Sequence, residues 1–249
     1  MQGVTRRRIL GLPAWLLVSP AGAAIETADF AEQRAAMVRM VQLEAAMVAD
    51  ETGIGELDPR VLAAMREVPR HLFLPEPLWP YAYAPQPLPV HPEQNLAAPF
   101  IAALMLHLGE IREQDRVFET GTDVGYQAAL AARLARRVYS VELLPELAEW
   151  ARGRLAALGV TNVEVREGDG FYGWPEEAPF DVILVKEAVS APPEPLVTQL
   201  ATGGRLVAPV GSTMAEQWLS VGRKEASGRL RLRRVLPVRF SPLQGGERT

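Results

Sequence analysis

Hydrophobic and polar positions in the second half of the chain form two kinds of pattern that alternate. Short apolar runs typical of buried strands lie at 116–120, 137–141, 162–166, 180–185 and 204–210. Stretches with helical spacing separate several of them, at 126–134, 145–158 and about 194–200. Strands that alternate with helices predict right-handed crossovers and a mainly parallel sheet. Two last runs, 217–222 and 229–236, flank Ala226-Ser227-Gly228 and predict a C-terminal antiparallel hairpin.

The first half of the chain combines helical patterns with a proline-rich segment. A helix is predicted over 31–48, with a largely apolar stripe made of Met37, Met40, Val41, Glu44, Met47 and Val48. Asp58-Pro59 indicates a helix start, because an acidic cap precedes proline at the first helical position. Eight prolines between residues 75 and 99 predict a long ordered loop, since proline lacks an N–H donor, and a helix follows over 100–108.

The N-terminus has the pattern of an export signal. Three arginines, Arg6–Arg8, precede an apolar stretch at 9–18, and Ala21-Gly22-Ala23 matches a cleavage site. Paired arginines in this position resemble a twin-arginine signal. We therefore expect a signal peptide at 1–23, a periplasmic or otherwise exported protein, and no integral membrane segment after cleavage. A stray basic N-terminus or a mis-assigned start codon would give the same residues.

The rest of the chain is predicted to form one domain over 24–249. Within it we expect a helical and proline-rich part at 31–110 and a sheet core at 115–242. Hydrophobic residues make up 48% of the chain and charged residues 22%, which is ordinary for a globular domain of this length.

Composition excludes several kinds of chemistry. The formal charge of −4 argues against a nucleic-acid partner. The absence of cysteine excludes disulfides, thiolate metal sites and a cysteine nucleophile. The three histidines, His71, His91 and His107, lack the spacing of metal ligands, so no metal site is predicted. Oligomeric state cannot be derived from these features.

A glycine-containing turn carries the main chemical signal. The run at 116–118 leads into Gly121-Thr122-Asp123-Val124-Gly125, a helical stretch follows, and the next strand ends on Glu142. Strand, glycine turn, helix, strand and terminal carboxylate, with about 20 residues from turn to acid, are the parts of a nucleotide-type site in a Rossmann-like fold. Asp123 stands where the pattern expects the middle glycine, so a charged side chain occupies the turn.

Other motifs, in the order of a known family, run from about Met37 to Pro242. They are Val61-Leu62-Ala63-Ala64-Met65, Val68-Pro69-Arg70-His71, Ala82-Tyr83, Pro87-Leu88-Pro89, Gly125-Tyr126-Gln127, Val138-Tyr139-Ser140-Val141-Glu142, Gly168-Asp169-Gly170, Gly173-Trp174, Pro179-Phe180-Asp181 and Gly203-Gly204-Arg205-Leu206-Val207. In this order they resemble protein-L-isoaspartate O-methyltransferase, which uses S-adenosylmethionine. The resemblance implies an α/β, Rossmann-like class I methyltransferase fold with N-terminal helices, a mainly parallel sheet and a C-terminal antiparallel hairpin.

The resemblance also implies site residues. Glu142 would hold the cofactor ribose, and Asp169 with Gly170 would lie beside the adenine. The implied cofactor-binding residues are Gly121, Thr122, Asp123, Gly125, Glu142, Asp169 and Gly170. Two alternatives stay open at this point: Glu142 could cap the helix that begins near Pro145, and Gly168–Gly170 could form only a turn.

Several departures from the family pattern fall in the expected substrate pocket. Asn95 and Ala97 stand where the family has a threonine and a serine that hold the substrate carboxyl group, so the catalytic residue is unknown. Pro85 replaces an acidic or amide residue, and Lys186-Glu187 replace small residues after the fourth strand. The expected pocket residues are Tyr83, Asn95, Ala97 and Lys186.

Three functional hypotheses follow. The first is a protein-L-isoaspartate O-methyltransferase of weakened activity that methylates isoaspartyl carboxylates in damaged proteins or peptides. The second is an exported pseudoenzyme that binds a peptide or a partner, and the third is a methyltransferase-like fold with another small ligand. S-adenosylmethionine is the expected cofactor, and Asp123 argues against its binding because the aspartate would face the cofactor's carboxylate.

Asp123 and Lys186 are expected to meet. In this topology the strands ending near Thr120 and Val185 are neighbours, so both side chains emerge at the same edge of the sheet. A salt bridge between them would fill the cofactor space. The alternative is two unrelated substitutions, each exposed to solvent.

Overall fold

A computed structural model describes residues 28–92, 94–212 and 216–244. The predicted signal peptide at 1–23 lies outside these residues, so export stays a prediction. The N-terminal part contains α1 (Ala28–Met47), α2 (Ala49–Thr52), α3 (Pro59–Glu67), β1 (Leu88–His91), β2 (Gln94–Leu96) and α4 (Pro99–Gly109). Strands β1 and β2 pair antiparallel as a small separate sheet.

The remaining elements build a Rossmann-like layer. They are β3 (Arg116–Thr120), α5 (Tyr126–Ala132), β4 (Arg137–Glu142), α6 (Pro145–Ala157), β5 (Val163–Glu167), β6 (Phe180–Leu184), α7 (Glu194–Gln199), β7 (Leu200–Val210), β8 (Gln217–Lys224) and β9 (Leu230–Val238). In the described part of the chain the seven strands among them form one sheet, in the order β5-β4-β3-β6-β7-β8-β9. Strands β3 to β7 run parallel, and β8 pairs antiparallel with both β7 and β9. The predicted fold class is confirmed.

Local sequence signals explain where the helices begin. The side chain of Asp58 accepts a hydrogen bond from the backbone N–H of Arg60, and Pro59 occupies the first turn of α3. This cap and proline start were predicted, and such a cap contributes about 1 kcal/mol. Helix α4 also begins with a proline, Pro99, but its N-cap residue Ala98 makes no side-chain cap hydrogen bond.

Both faces of the central sheet are covered, which is why the inner strands bury residues at consecutive positions, such as Val117 and Phe118 in β3. The N-terminal helices pack on one face around Val117, Val138 and Val182, and a second cluster on the other face contains Phe118 and Phe180. Phe118 is fully buried. Truncation of such a ring costs about 3–5 kcal/mol.

Two sequence predictions in the N-terminal part need correction. In the predicted α1 stripe, Met40 and Met47 are 45% and 82% exposed, while Met37 and Val41 are buried. The helix packs through a narrower face than its apolar pattern suggested. The proline-rich segment is also more regular than a loop, because it contains a 3₁₀ turn at Glu76–Tyr81 and the β1–β2 hairpin.

Candidate active site

The carboxyl ends of four parallel strands form the edge at which the predicted site residues gather. Gly121, Thr122, Asp123 and Gly125 follow β3, Glu142 ends β4, Asp169 and Gly170 follow β5, and Lys186 follows β6. Strand β3 lies between β4 and β6, so the strand order reverses there: the chain proceeds from β3 to β4 and β5, and then continues at β6 on the other side of β3. Ligands of open α/β sheets bind at such a switch point.

The glycine turn after β3 is held by buried polar contacts. The hydroxyl oxygens of Thr122 and Ser140 lie 2.5 Å apart, and Ser140 donates to Glu119 at 2.8 Å. Asp123 has φ of 52°, in the left-handed region where glycine is favoured and aspartate is among the better tolerated residues. The substitution thus keeps the backbone shape of a glycine turn while it adds a carboxylate.

Glu142 bridges this turn to the next helix. One of its carboxylate oxygens accepts from the backbone N–H of Asp123 at 2.8 Å, and the other accepts from Leu144 at 3.0 Å, next to the start of α6. Burial raises the pKa of Glu142 to about 7. Glu142 therefore holds the backbone of Leu144, the residue before α6, rather than the first turn of the helix, and it keeps lone pairs on both oxygens for a ligand hydroxyl.

Asp169 and Gly170 form a turn at the end of β5. The carboxylate of Asp169 accepts from the backbone N–H of Phe171 at 2.9 Å. A Cβ on Gly170 would lie 2.9 Å from Cβ of Thr120, so a larger residue would separate the two loops. The turn alternative is also present, and it places Asp169 beside the loop that follows β3.

One lysine and four carboxylates lie together behind the glycine turn. This lysine–carboxylate cluster consists of Lys186, Glu119, Asp123, Glu142 and Glu187. The ammonium of Lys186 lies 3.5 Å from a carboxylate oxygen of Asp123 and 3.8 Å from one of Glu119. Side-chain exposure is 7% for Lys186 and 12% for Asp123, so neither is a solvated substitution. The predicted Asp123–Lys186 pair is confirmed, since β3 and β6 are adjacent.

Glu187 adds a second contact that fills the turn. Its carboxylate accepts from the Thr120 hydroxyl at 2.5 Å, and a Cβ built on Gly121 would collide with its other oxygen. Sequence reasoning noted Glu187 as a departure but did not place it in the site. Its position next to Lys186 was the available signal.

Charge and burial oppose each other within the cluster. Burial raises the pKa of Glu187 to about 7 and also raises the pKa of Glu119 and of Asp123. Burial alone would lower the pKa of Lys186, but the carboxylates of Glu119 and Asp123 raise it, so the lysine is a cation. One cation, Lys186, thus lies among four carboxyl groups that cannot all be ionised at once without a large electrostatic cost.

A cavity of about 260 Å³ opens beside the cluster. Asn95, Ala97 and Lys186 line it as predicted, together with Asp123 and Glu187. The segment after β9 also lines it, through Arg239, Phe240 and Ser241, which sequence reasoning missed. These residues are far from the glycine turn in sequence. The only sequence signal for them is that they lie within the region, about Met37 to Pro242, that resembles the family.

Tyr83 was expected in this pocket, but it does not line this cavity; it lines a separate cavity beside α1. Its hydroxyl lies 2.7 Å from Nδ1 of His71, and its ring is buried among the N-terminal helices, away from the cavity lining. Phe30 stacks on His71 at 4.2 Å between ring centroids. The tyrosine therefore belongs to the packing of the N-terminal part, because aromatic contacts there bury its ring.

Arg70 fixes the wall of the cavity from behind. Its buried guanidinium donates to the backbone carbonyls of Ala82 at 2.8 Å and Ala97 at 2.9 Å. The same group lies 4.8 Å from the ring centroid of Tyr126, at the start of α5. Arg70 thus ties the Ala97 loop to the helix that follows the glycine turn.

The described residues show no metal site and no membrane-crossing helix. Across residues 28–92, 94–212 and 216–244, no group of three or more histidines, aspartates or glutamates is arranged to hold a metal ion. In the same residues no helix has the length and apolar content needed to cross a membrane. His107 accepts a hydrogen bond from the backbone N–H of Asp58 at 3.0 Å, which is a packing role.

Comparison with known proteins identifies the family. The family model of protein-L-isoaspartate(D-aspartate) O-methyltransferase matches residues 36–248. The chain belongs to this family. Protein-L-isoaspartate O-methyltransferase 2 of Syntrophobacter fumaroxidans is 45% identical over 93% of this chain and 94% of its own. The protein-L-isoaspartate O-methyltransferase of Methanoculleus marisnigri is 50% identical over 78% of this chain and 86% of its own.

Solved structures give the same fold. A protein-L-isoaspartate O-methyltransferase that is 29% identical superposes with a TM-score of 0.74, over 85% of this chain and 66% of its own. A putative family member from Plasmodium falciparum, solved with S-adenosyl-L-homocysteine, is 20% identical and has a TM-score of 0.70, over 84% of this chain and 97% of its own. The second similarity supports the fold.

The site residues fit one half of S-adenosylmethionine and not the other. Glu142 and Asp169 are acceptors at the strand ends where the family pattern expects the ribose and the adenine. The amino-acid half of the cofactor is an ammonium and a carboxylate on a short chain. Next to the glycine turn its place is taken by Lys186 and Glu187, which contact Asp123 and Gly121. As arranged, this part of the site does not fit the cofactor.

Proposed function

We propose that the chain is an S-adenosylmethionine-dependent methyltransferase that acts on isoaspartyl carboxylates of damaged proteins or peptides. The observation that carries this proposal is the 45% identity to a protein-L-isoaspartate O-methyltransferase over 93% of the chain. The geometry agrees, because a cavity of about 260 Å³ adjoins the glycine turn at the switch point of the sheet.

The chemistry asks little of the protein's side chains. A carboxylate is already ionised at neutral pH, so the attacking oxygen needs no general base. Orientation supplies most of the rate in such a reaction. The cavity lining includes two side chains that can orient a carboxylate: the amide of Asn95 and the exposed Arg239. The missing serine at Ala97 therefore weakens the site without removing its chemistry.

The size of that weakening can be estimated. Loss of one oriented hydrogen-bond donor costs about 10²-fold in rate in a comparable oxyanion site. Asn95 retains a donor where the family has a threonine, whereas Ala97 has none. We expect slow but specific methyl transfer. The comparisons with known proteins give no support to the alternative of a pseudoenzyme that serves as a binding module.

We also propose that the protein acts outside the cytoplasm. Arg6–Arg8, the apolar stretch at 9–18 and Ala21-Gly22-Ala23 support a twin-arginine signal. That route exports folded proteins, so the described domain would reach its destination with its site formed. The substrate would then be an exported protein or peptide.

The function is tested with labelled S-adenosylmethionine and two peptides of one sequence. One peptide carries an isoaspartyl residue and the other an ordinary aspartyl residue. Label should enter the isoaspartyl peptide, in a base-labile ester, and not its matched control. Equal labelling of both peptides, or no labelling after prolonged incubation at saturating cofactor, would contradict the proposal.

A further inference from the structure

The lysine–carboxylate cluster occupies a definable part of the cofactor site. Along the edge of the sheet the strands follow the order β5, β4, β3 and β6. Asp169 follows β5 and Glu142 ends β4, and adjacent strands are about 4.8 Å apart. A nucleoside held by these two residues therefore extends its 5′ substituent towards β3 and β6. Gly121 and Lys186 lie there.

The chain's own side chains already supply the charges that this substituent would bring. The ammonium of Lys186, like the α-ammonium of the cofactor, is a compact cation with three donors. It lies 3.5 Å from Asp123 and 3.8 Å from Glu119. Oε2 of Glu119 has no hydrogen bond within the described residues, so the lysine is its nearest source of compensation.

Glu187 occupies the neighbouring volume. Its carboxylate lies against the open face of Gly121, where a Cβ would collide with it. A glycine at this point of such a turn normally lets a ligand approach the backbone. The hydrogen bond from Thr120 at 2.5 Å holds the carboxylate in place, and the backbone N–H of Lys186 donates to the same hydroxyl oxygen at 3.0 Å.

We propose that Lys186 and Glu187 replace the amino-acid half of S-adenosylmethionine, so that this half adds nothing to ligand affinity. This inference rests on the proposed function, because it takes the edge between β5 and β6 as the cofactor site. The cofactor's carboxylate would meet Asp123 and Glu187, which have the same charge sign. At about 5 Å and an effective dielectric of about 20, one such repulsion lowers affinity more than about a hundredfold.

The test compares two nucleosides that differ only in the amino-acid half. S-adenosylhomocysteine carries it, and 5′-methylthioadenosine keeps the adenosine and the thioether without it. Titration calorimetry with the unaltered protein should show S-adenosylhomocysteine binding no more than about tenfold tighter than 5′-methylthioadenosine, the effect of roughly 1.4 kcal/mol, and binding more weakly where the repulsion dominates. S-adenosylhomocysteine that binds tenfold tighter or more would overturn the inference and leave the proposed function intact.

A triple variant tests the opposite case, in which the side chains proposed to replace the amino-acid half are removed. Asp123→Gly, Lys186→Thr and Glu187→Ala together remove two acids and one cation, which restores small or neutral groups without leaving the lysine unpaired. In this variant S-adenosylhomocysteine should bind at least about tenfold tighter than 5′-methylthioadenosine, because the ammonium regains Glu119. A folded triple variant without that preference would overturn the inference. Arg231→Thr, on the exposed face of β9, is the control and should behave as the unaltered protein.

If the proposed function is wrong, the binding and labelling results differ from those that would overturn this inference alone. If neither nucleoside binds the unaltered protein or the triple variant, and neither protein labels an isoaspartyl peptide, the proposed function fails and this inference fails with it. If only the triple variant binds S-adenosylhomocysteine, the side chains block the pocket and the inference is supported.

Discussion

The ammonium of Lys186 lies 3.5 Å from the carboxylate of Asp123, with both side chains almost fully buried behind the glycine turn. A salt bridge at the protein surface would add little to stability, but a buried one leaves an uncompensated charge when one partner is removed. We therefore expect the stability contributions of Asp123 and Lys186 to depend on each other.

Lys186→Met should destabilise the protein strongly. It leaves Glu119 and Asp123 buried without a cation, which lowers the free energy of unfolding by about 3–5 kcal/mol. Adding Asp123→Asn should recover part of the loss, with a coupling of at least about 1 kcal/mol. Urea denaturation of the two single variants and the double variant measures this. Strict additivity, within about 0.5 kcal/mol, would contradict a direct pair.

Glu187→Gln should stabilise the protein only at higher pH. The folded-state pKa of Glu187 is about 7, raised by burial from an ordinary value of 4.5. Its contribution to stability is thus fully present below about pH 4.5 and is lost as the pH rises through 7. The variant should match the unaltered protein at pH 4.5 and exceed it by about 2–3 kcal/mol at pH 8.5.

The same pH series needs an uncharged control. Leu232→Gln, at an exposed position of β9, should shift stability equally at every pH. If the difference between Glu187→Gln and the unaltered protein stays constant from pH 4.5 to 8.5, Glu187 does not titrate in this range.

Arg70→Lys should loosen the cavity wall although the charge is retained. Lysine cannot reproduce the fork that donates to the carbonyls of Ala82 and Ala97. The loss of those hydrogen bonds in a buried site costs about 2–4 kcal/mol, or a Tm decrease of roughly 5–15 °C for a domain of this size. Thermal unfolding followed by circular dichroism checks this. Arg66→Lys, exposed on α3, should leave Tm within about 1 °C, and equal shifts in both variants would exclude a specific role for Arg70.

Ala97→Ser should change methyl transfer little by itself. The restored hydroxyl would add an oriented donor to the cavity, but Asp123, Lys186 and Glu187 would still occupy the adjoining site. We expect less than about a threefold gain alone and about tenfold or more in the background of the triple variant. Initial rates with the labelled isoaspartyl peptide measure both. A large gain in the single variant would show that the substrate side alone limits the rate.

Changing Arg6–Arg8 to lysine should retain the protein in the cytoplasm. The twin-arginine route requires its arginine pair, while the charge of the segment is unchanged by the substitution. Cell fractionation and N-terminal sequencing of the native protein should find a mature form that begins near Ala24 outside the cytoplasm. A full-length cytoplasmic protein that retains Met1 would exclude export.

The sequence by itself determined the elements of the sheet and the edge at which the site lies. Strand β3 begins and ends at the predicted residues, 116 and 120, because Val117 and Phe118 are buried on opposite faces of a sheet that is covered on both sides. The strand order of the Rossmann-like topology that the resemblance implied was enough to bring Asp123 and Lys186 together. Contacts between residues at the ends of neighbouring strands can therefore be predicted from the sequence once the strand order is known.

Only the tertiary structure decided which other groups share that edge. Arg239 reaches the cavity because the segment after β9 folds back towards the Ala97 loop, and Tyr83 is drawn away by aromatic packing against His71. Glu187 contacts Gly121 through a loop geometry that no periodicity encodes. The raised pKa of its carboxyl depends on burial, which is a property of the assembled domain and not of the residues near it in sequence.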